Sequence, residues 1–347
     1  MASPAPLPPP PEDNLVAQAT HSRPLKVLSE FVSNYGLLIV FVLVIVVFSA
    51  LRPNTFLSSG NIGNLLTSQS ITALLAFAVM LPLATGRFDM SVGYHIGLAH
   101  VLMIGLQVNA SLPWPVAAGI VLATGVVIGL VNGILVARFK IDAFIATMGV
   151  GSLLYGVSNW YTDGQQIPGF SLPDSFTGLT GSFHGIPITA LYVTAVAVLL
   201  WVLLERMPVG RSLYVIGSNA RAAELSGLSV PNYVMGAFVG SGFLCALAGV
   251  LLASILRAAT PSVGPEYLLP AFASVLLGAT SIRPGRVNVV GTVLAVLVLA
   301  FSFSGVQQLG AAFYVEYFFN GGILILAVSL SVYAAIRRRK AAVAAAS

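Results

Sequence analysis

The sequence predicts an all-α, polytopic membrane protein with about ten transmembrane helices. Three observations carry this expectation. The 347 residues are 57% hydrophobic and only 8% charged, against roughly 25% charge in a soluble domain. Mean hydropathy is +0.93. Apolar runs of about span length recur along most of the chain, separated by short polar breaks. No water-soluble fold hides that much apolar surface, so the solvent for most of these residues is lipid.

Taken in order, residues 1–34 are polar and carry the proline-rich run PAPLPPPPEDN. Such a composition cannot bury a core, and a disordered cytoplasmic tail is expected. The first apolar run, Tyr35 to Leu51, follows too long a polar leader to be a signal peptide and reads as an uncleaved first span. Further spans are expected at Ile62–Thr85, Ser91–Asn109, Val116–Ala137 and Phe144–Tyr161. After a Gly/Pro/Ser-rich loop they continue at Ile188–Leu204, Tyr233–Leu256, Leu269–Ala279, Val287–Phe303 and Phe318–Ala335. The eighth is too short to cross a hydrocarbon core of about 30 Å as a straight helix. The membrane domain thus covers 35–336, and 337–347 form a basic cytoplasmic tail.

Charge supports this topology. With the N-terminus in the cytoplasm, all of the 16 Lys and Arg except Arg52 and Arg257 fall on inner segments. That is a strong positive-inside bias, and it favours an even number of spans with both termini inside. The net charge of +5 is scattered and forms no nucleic-acid patch. A single cysteine, Cys245, excludes disulfide frameworks and cysteine metal sites. None of the three lysines (Lys26, Lys140, Lys340) follows a glycine, so the ATP-cradling G-x-x-x-x-G-K-[ST] loop is absent. His95 and His100 are five apart, off one helical face and without a second carboxylate, so they read as packing or pathway residues and no metal is expected.

Glycines recur at four-residue spacing: Gly125, Gly129 and Gly133, then Gly93 with Gly97, and Gly236 with Gly240. This puts small residues on one helix face, where backbones approach closely. Close packing is the expected role, with pore lining as the alternative. The inner loop GRSLYVIGSNARAAELSGLSVPNY, 210–233, predicts a surface helix of about two turns. Asn219 is a good N-cap, Ala220 to Leu225 are helix formers and Gly227 is a good stop. Ala222 and Ala223 are small enough for another protein to come close, and Arg221 and Glu224 are spaced for an ion pair or a partner contact. Read alone, this is either a connecting helix or a docking element.

That loop resembles the cytoplasmic coupling segment of ribose-type ABC transporter permeases, G-R-x-x-Y-A-x-G-G-N-x-x-A-A-x-x-S-G. It matches at Gly210, Arg211, Tyr214, Gly217, Asn219, Ala222, Ala223, Ser226 and Gly227. TGRFDMSVG at 85–93 is similar to the family's T-G-G-I-D-L-S-V-G, departing at Arg87, Phe88 and Met90. NGILVARFKIDAFIATMG at 132–149 and ASVLLGATSIRPGRVNVVGTVL at 273–294 resemble two further family motifs. Pro270 stands where many members carry an aspartate, which points to a divergent subgroup.

The resemblance implies an ABC importer permease fold in a bacterial inner membrane, with a sugar or polyol as substrate. It implies no catalysis and no cofactor on this chain. ATP and Mg belong to separate ATPase subunits, a periplasmic sugar-binding protein delivers the substrate, and a second permease copy completes a homodimer. The coupling loop would then comprise Gly210, Arg211, Asn219, Arg221, Ala222, Ala223, Glu224, Ser226 and Gly227. Pathway or gating candidates are Asp89, Ser91, Gly93, Asn132 and Asn159. Asp89 also fits a structural role, capping the helix that follows. Arg257 is either an interfacial cation or a docking contact for the binding protein. Asn132, Asn159, Gln307 and Asn320 are polar within or beside spans and suit interhelical hydrogen bonds or substrate contacts. An amino-acid permease of the branched-chain type and an ion-driven transporter are the rival readings.

Overall fold

The computed structural model describes residues 23–312, 314–326 and 329, with side chains described from residue 35. The expected order of helices is present: α1 (Arg23–Leu51), α2 (Ser59–Ala84), α3 (Val92–Val108), α4 (Trp114–Ala137) and α5 (Ala143–Thr162). A short α6 (Asp174–Thr177) precedes α7 (Ile188–Trp201), which continues as a π-turn through Val202–Arg206. Then come α8 (Pro208–Ser218), α9 (Ala220–Leu225), α10 (Val230–Leu256), α11 (Leu268–Gly278) and α12 (Val289–Gln308). The described part of α13 is Val315–Leu326. The terminal stretches 1–22 and 337–347 and the end of the tenth expected span lie outside the described residues.

One boundary departs from expectation. α1 begins at Arg23, so residues 23–34, expected in the disordered tail, are helical. Residues 25–33 carry apolar Leu25, Val27, Leu28, Phe31 and Val32, a helix-compatible spacing within the polar tail. Among the described residues five helices are long and apolar enough to cross a membrane: α2, α4, α7 with its π-turn, α10 and α12. α11, at 11 residues, has about half the length needed to span.

α10 is the centre of the bundle. It packs against α2, α3 and α4. Lipid provides no hydrophobic drive between helices, so close packing must hold them. The glycine spacing on α4 does this. A Cβ at Gly129 would collide with the Phe238 carbonyl, one at Gly133 would lie 2.8 Å from Met235 Cα, and one at Gly125 would meet Ala246 Cβ and lie 2.7 Å from the Gly242 carbonyl. Gly93 and Gly97 serve the loop before α11 in the same way, against Gly264 and Val263. Gly236 breaks the pattern, because nothing stands near it.

At the opposite end from α9, the 162–187 loop is more structured than its composition implied. Ile167–Pro168 (β1) pairs antiparallel with Ala258–Ala259 (β4), and Ser182–Phe183 (β2) pairs with Ile186–Pro187 (β3). Phe176 is fully buried, and its carbonyl accepts from Ser254 Oγ at 2.8 Å. His100 joins the same end, with Nε2 2.7 Å from the Ala258 carbonyl.

Candidate functional site

The site starts from a helix that is made to stop. Pro82 sits in the last turn of α2, and its carbonyl collects the Thr85 N–H, the Arg87 N–H and the Thr85 hydroxyl (2.7 Å). Gly86, at φ +76°, turns the chain out through the left-handed region that favours glycine. α3 restarts at Val92.

Asp89 lies in this break and is 3% exposed. One carboxylate oxygen accepts from the Ser91 N–H (3.1 Å) and the Ser91 hydroxyl (2.6 Å). The other accepts from Ser241 Oγ of α10 at 2.9 Å. The Ser91 hydroxyl in turn accepts from Asn132 Nδ2 of α4 at 2.8 Å, and the Met90 N–H donates to Thr147 Oγ1 of α5 at 2.9 Å. The expected capping role is thereby modified. The carboxylate holds the N–H of Ser91, just ahead of the first helical residue, rather than those of the first turn, and it ties the break to α10. Among the described residues no ion pair engages Asp89, so its anchors are neutral hydroxyls and one amide.

The surface loop carries the second part. α9 is capped by Asn219, whose side chain accepts from the Ala222 N–H at 3.0 Å. It ends at Gly227, φ +83°, with Gly227 N–H donating to the Glu224 carbonyl (2.9 Å) and Leu228 N–H to that of Ala223 (3.1 Å). Arg221 and Glu224 pair at 3.1 Å. Ala222 and Ser226 are exposed, and Leu225 is 78% exposed. Ala223 is a correction: it is fully buried, in one apolar cluster with Val136, Ala146, Ile216, Val234 and Phe238, so it anchors α9 and is not open to a partner. Arg211 is exposed, and Gly210 lets α8 lie directly on the backbone of Leu204.

The two parts meet. A Cβ on Gly86 would stand 3.3 Å from the Gly217 carbonyl, and one on Gly217 would collide with the Ala84 carbonyl and stand 3.2 Å from Gly86 N. α8 therefore rests on the helix break backbone to backbone. A third motif reaches the same end. Tyr214 donates to the Val287 carbonyl at 2.9 Å, and the Arg286 guanidinium lies 3.4 Å from its ring centre. Burial raises the Tyr214 phenol above its ordinary pKa, and the Arg286 charge opposes this. Glu205, nearly buried at the end of the π-turn, pairs with Arg283 and, at 4.0 Å, with Arg286. Asn288 caps α12 through the Gly291 N–H at 2.7 Å.

The structure thus brings together Asp89, Ser91 and Asn132, with Gly93 as the second residue of α3. It does not bring in Asn159, which bonds to the Tyr155 carbonyl of its own helix (2.9 Å), or Arg257, which is exposed at the other end of α10 with φ 53°. Asn320 is buried on α13, and Gln308 rather than Gln307 makes a long-range contact, accepting from Thr55 Oγ1 in the α1–α2 turn at 2.7 Å. Sequence reasoning missed Ser241, Thr147 and the Glu205–Arg283–Arg286 group. The one available signal was Glu205, a lone acid at the end of a long apolar run.

Comparison with known proteins gives the family. Residues 61–328 match the family described as branched-chain amino acid transport system / permease component. The chain is 37% identical to the ribose import permease protein RbsC of Bacillus subtilis, over 84% of this chain and 89% of that protein. It is 33% identical to the galactose/methyl galactoside import permease protein MglC of Haemophilus influenzae, over 80% and 87%. It is 28% identical to the D-allose transport system permease protein AlsC of Escherichia coli, over 90% and 96%. No solved structure matches. With the match running through the break, the surface loop and the α11–α12 turn alike, the chain belongs to this family of transport-system permease components.

Proposed function

We propose that this chain is the membrane-spanning subunit of a bacterial ABC importer for a sugar or polyol. It crosses the inner membrane ten times with both termini in the cytoplasm and works as a homodimer. Separate ATPase subunits dock on the exposed side of α9, and a periplasmic binding protein delivers the substrate to the end that carries Arg257. The ATPases bring ATP and Mg, and this chain brings the pathway.

The observation that carries the reading is the bare-backbone contact between Gly86 and Gly217. It gives the surface loop a rigid purchase on the break between α2 and α3. Displacement of α9 moves α8, α8 moves residues 84–86, and the hydroxyl bonds around Asp89 are free to exchange. That is a rigid-body switch between packed states. The names of the relatives support sugars over amino acids as cargo.

The test is uptake by proteoliposomes containing the permease, its cognate ATPase and its binding protein. ATP-dependent entry of a labelled pentose or hexose is expected. Entry of branched-chain amino acids in place of sugars defeats the substrate assignment. Uptake driven by an ion gradient, with no ATPase present, defeats the importer class.

A further inference from the structure

Beside the α9 seat lies a cavity of about 650 Å³, a volume suited to a small metabolite. It is walled by the 85–88 break, the α4–α5 turn, the α8–α9 junction and the start of α10. Two cations face it, Arg87 and Lys140, and among the described residues neither pairs with a carboxylate. Arg87 is half-buried and spends one guanidinium N–H on the Thr85 carbonyl at 3.0 Å. That burial pulls its pKa below the ordinary value, so the charge is held there at a cost. Lys140 sits at φ 57°, a left-handed conformation that costs a lysine on the order of 1 kcal/mol.

The cavity's two acids are already engaged. Asp142 accepts from the Ile145 N–H at 3.2 Å, and Glu224 is paired with Arg221. The residues of the first turn of α5, Ala143 and Phe144, also line the space, so the positive end of a 20-residue helix points toward it. A half-buried guanidinium and a strained lysine thus face one concave space whose two carboxylates are otherwise engaged, Asp142 with the N-terminus of α5 and Glu224 with Arg221. Arg87 is also where the sequence departs from the glycine of the motif it resembles.

We propose that this cavity binds the phosphoryl group of a small soluble molecule, with Arg87 and Lys140 as its two charged ligands. Arg87 supplies the planar pair of donors and Lys140 the mobile point charge. The bound group would bridge the break to the α4–α5 turn and brace both against the seat of α9. Its existence does not depend on which solute is carried.

The test uses the full-length permease without ATPase subunits, in phosphatidylcholine nanodiscs, titrated with ribose 5-phosphate, inorganic phosphate and ribose. Saturable binding of ribose 5-phosphate is expected, with inorganic phosphate competing and ribose inert. Arg87→Gln and Lys140→Asn should each weaken it about tenfold, since each removes one charge-assisted contact. Asparagine tolerates the left-handed backbone at 140, so that variant removes charge without unfolding the turn. Binding that is equal for ribose and its phosphate, unchanged in both variants or absent in wild type overturns the proposal. Displacement by phosphatidylglycerol in the disc also overturns it, in favour of a lipid headgroup. Sugar uptake in the assay above is independent of every one of these outcomes.

Discussion

Two faces of α10 make opposite kinds of contact. Toward α4 the contact is bare backbone, with Gly125, Gly129 and Gly133 set against Phe238, Gly242 and Met235. Toward the helix break it is polar, with Ser241 donating to Asp89 and Asp89 holding Ser91. A glycine seam has one close-packed arrangement and loses van der Waals contact in any other. A group of hydroxyls around one carboxylate has several arrangements of similar energy, because each hydroxyl both donates and accepts. The same helix is therefore fixed on one side and adjustable on the other.

The seam is the place to break this comparison hardest. Gly129→Leu should cost about 3 kcal/mol or more through overpacking against the Phe238 carbonyl, and monodisperse protein should be lost on gel filtration. Gly236→Leu has open space and should stay within about 0.5 kcal/mol of wild type by thermal unfolding in detergent. If Gly236→Leu were as damaging, glycine spacing alone, and not the observed approach, would set the seam.

Asp89→Ala should come next, at about 1–3 kcal/mol, because it leaves the buried Ser91 and Ser241 hydroxyls short of an acceptor. Asp89→Asn keeps one acceptor and should lose less stability. Uptake should fall in both by more than the loss of folded protein explains. Transport that merely tracks protein level would reduce Asp89 to a structural tie.

The two alanines of α9 separate seat from surface. Ala223→Leu overfills the pocket made with Val136, Ile216 and Phe238 and should cost about 1–3 kcal/mol. Ala222→Leu should leave stability unchanged and weaken co-purification with the ATPase subunit. The smallest effect is expected of Gly227→Ala, about 1 kcal/mol from the left-handed backbone alone, read as a small drop in melting temperature.

The helices were legible because hydropathy and length report the solvent directly. α9 was legible because its start and stop are local chemistry: Asn219 takes the Ala222 N–H and Gly227 accepts positive φ. The convergence at the break was not. Ser241 is 152 positions from Asp89, and Asn132 is 41 from Ser91. A serine or threonine inside an apolar helix carries no mark of its partner, and it can equally bond its own i−4 carbonyl, as Thr147 also does. Ala223 was misread for a related reason. Small size permits close approach from either side, and only the fold decides which side is occupied. The 162–187 loop hid its order because the burial of Phe176 depends on distant Trp114 and Ser254.

The joint between Gly86 and Gly217 has one more consequence. A contact made by side chains has slack, because rotamers yield before the backbones behind them move. This joint has no χ angles on either side, so it has no backlash. A shift of α8 by a fraction of an ångström should therefore reach residues 84–86 with little loss. For the same reason no compensating side chain can repair it, and an alanine at either position should be rescued by nothing except the return of glycine.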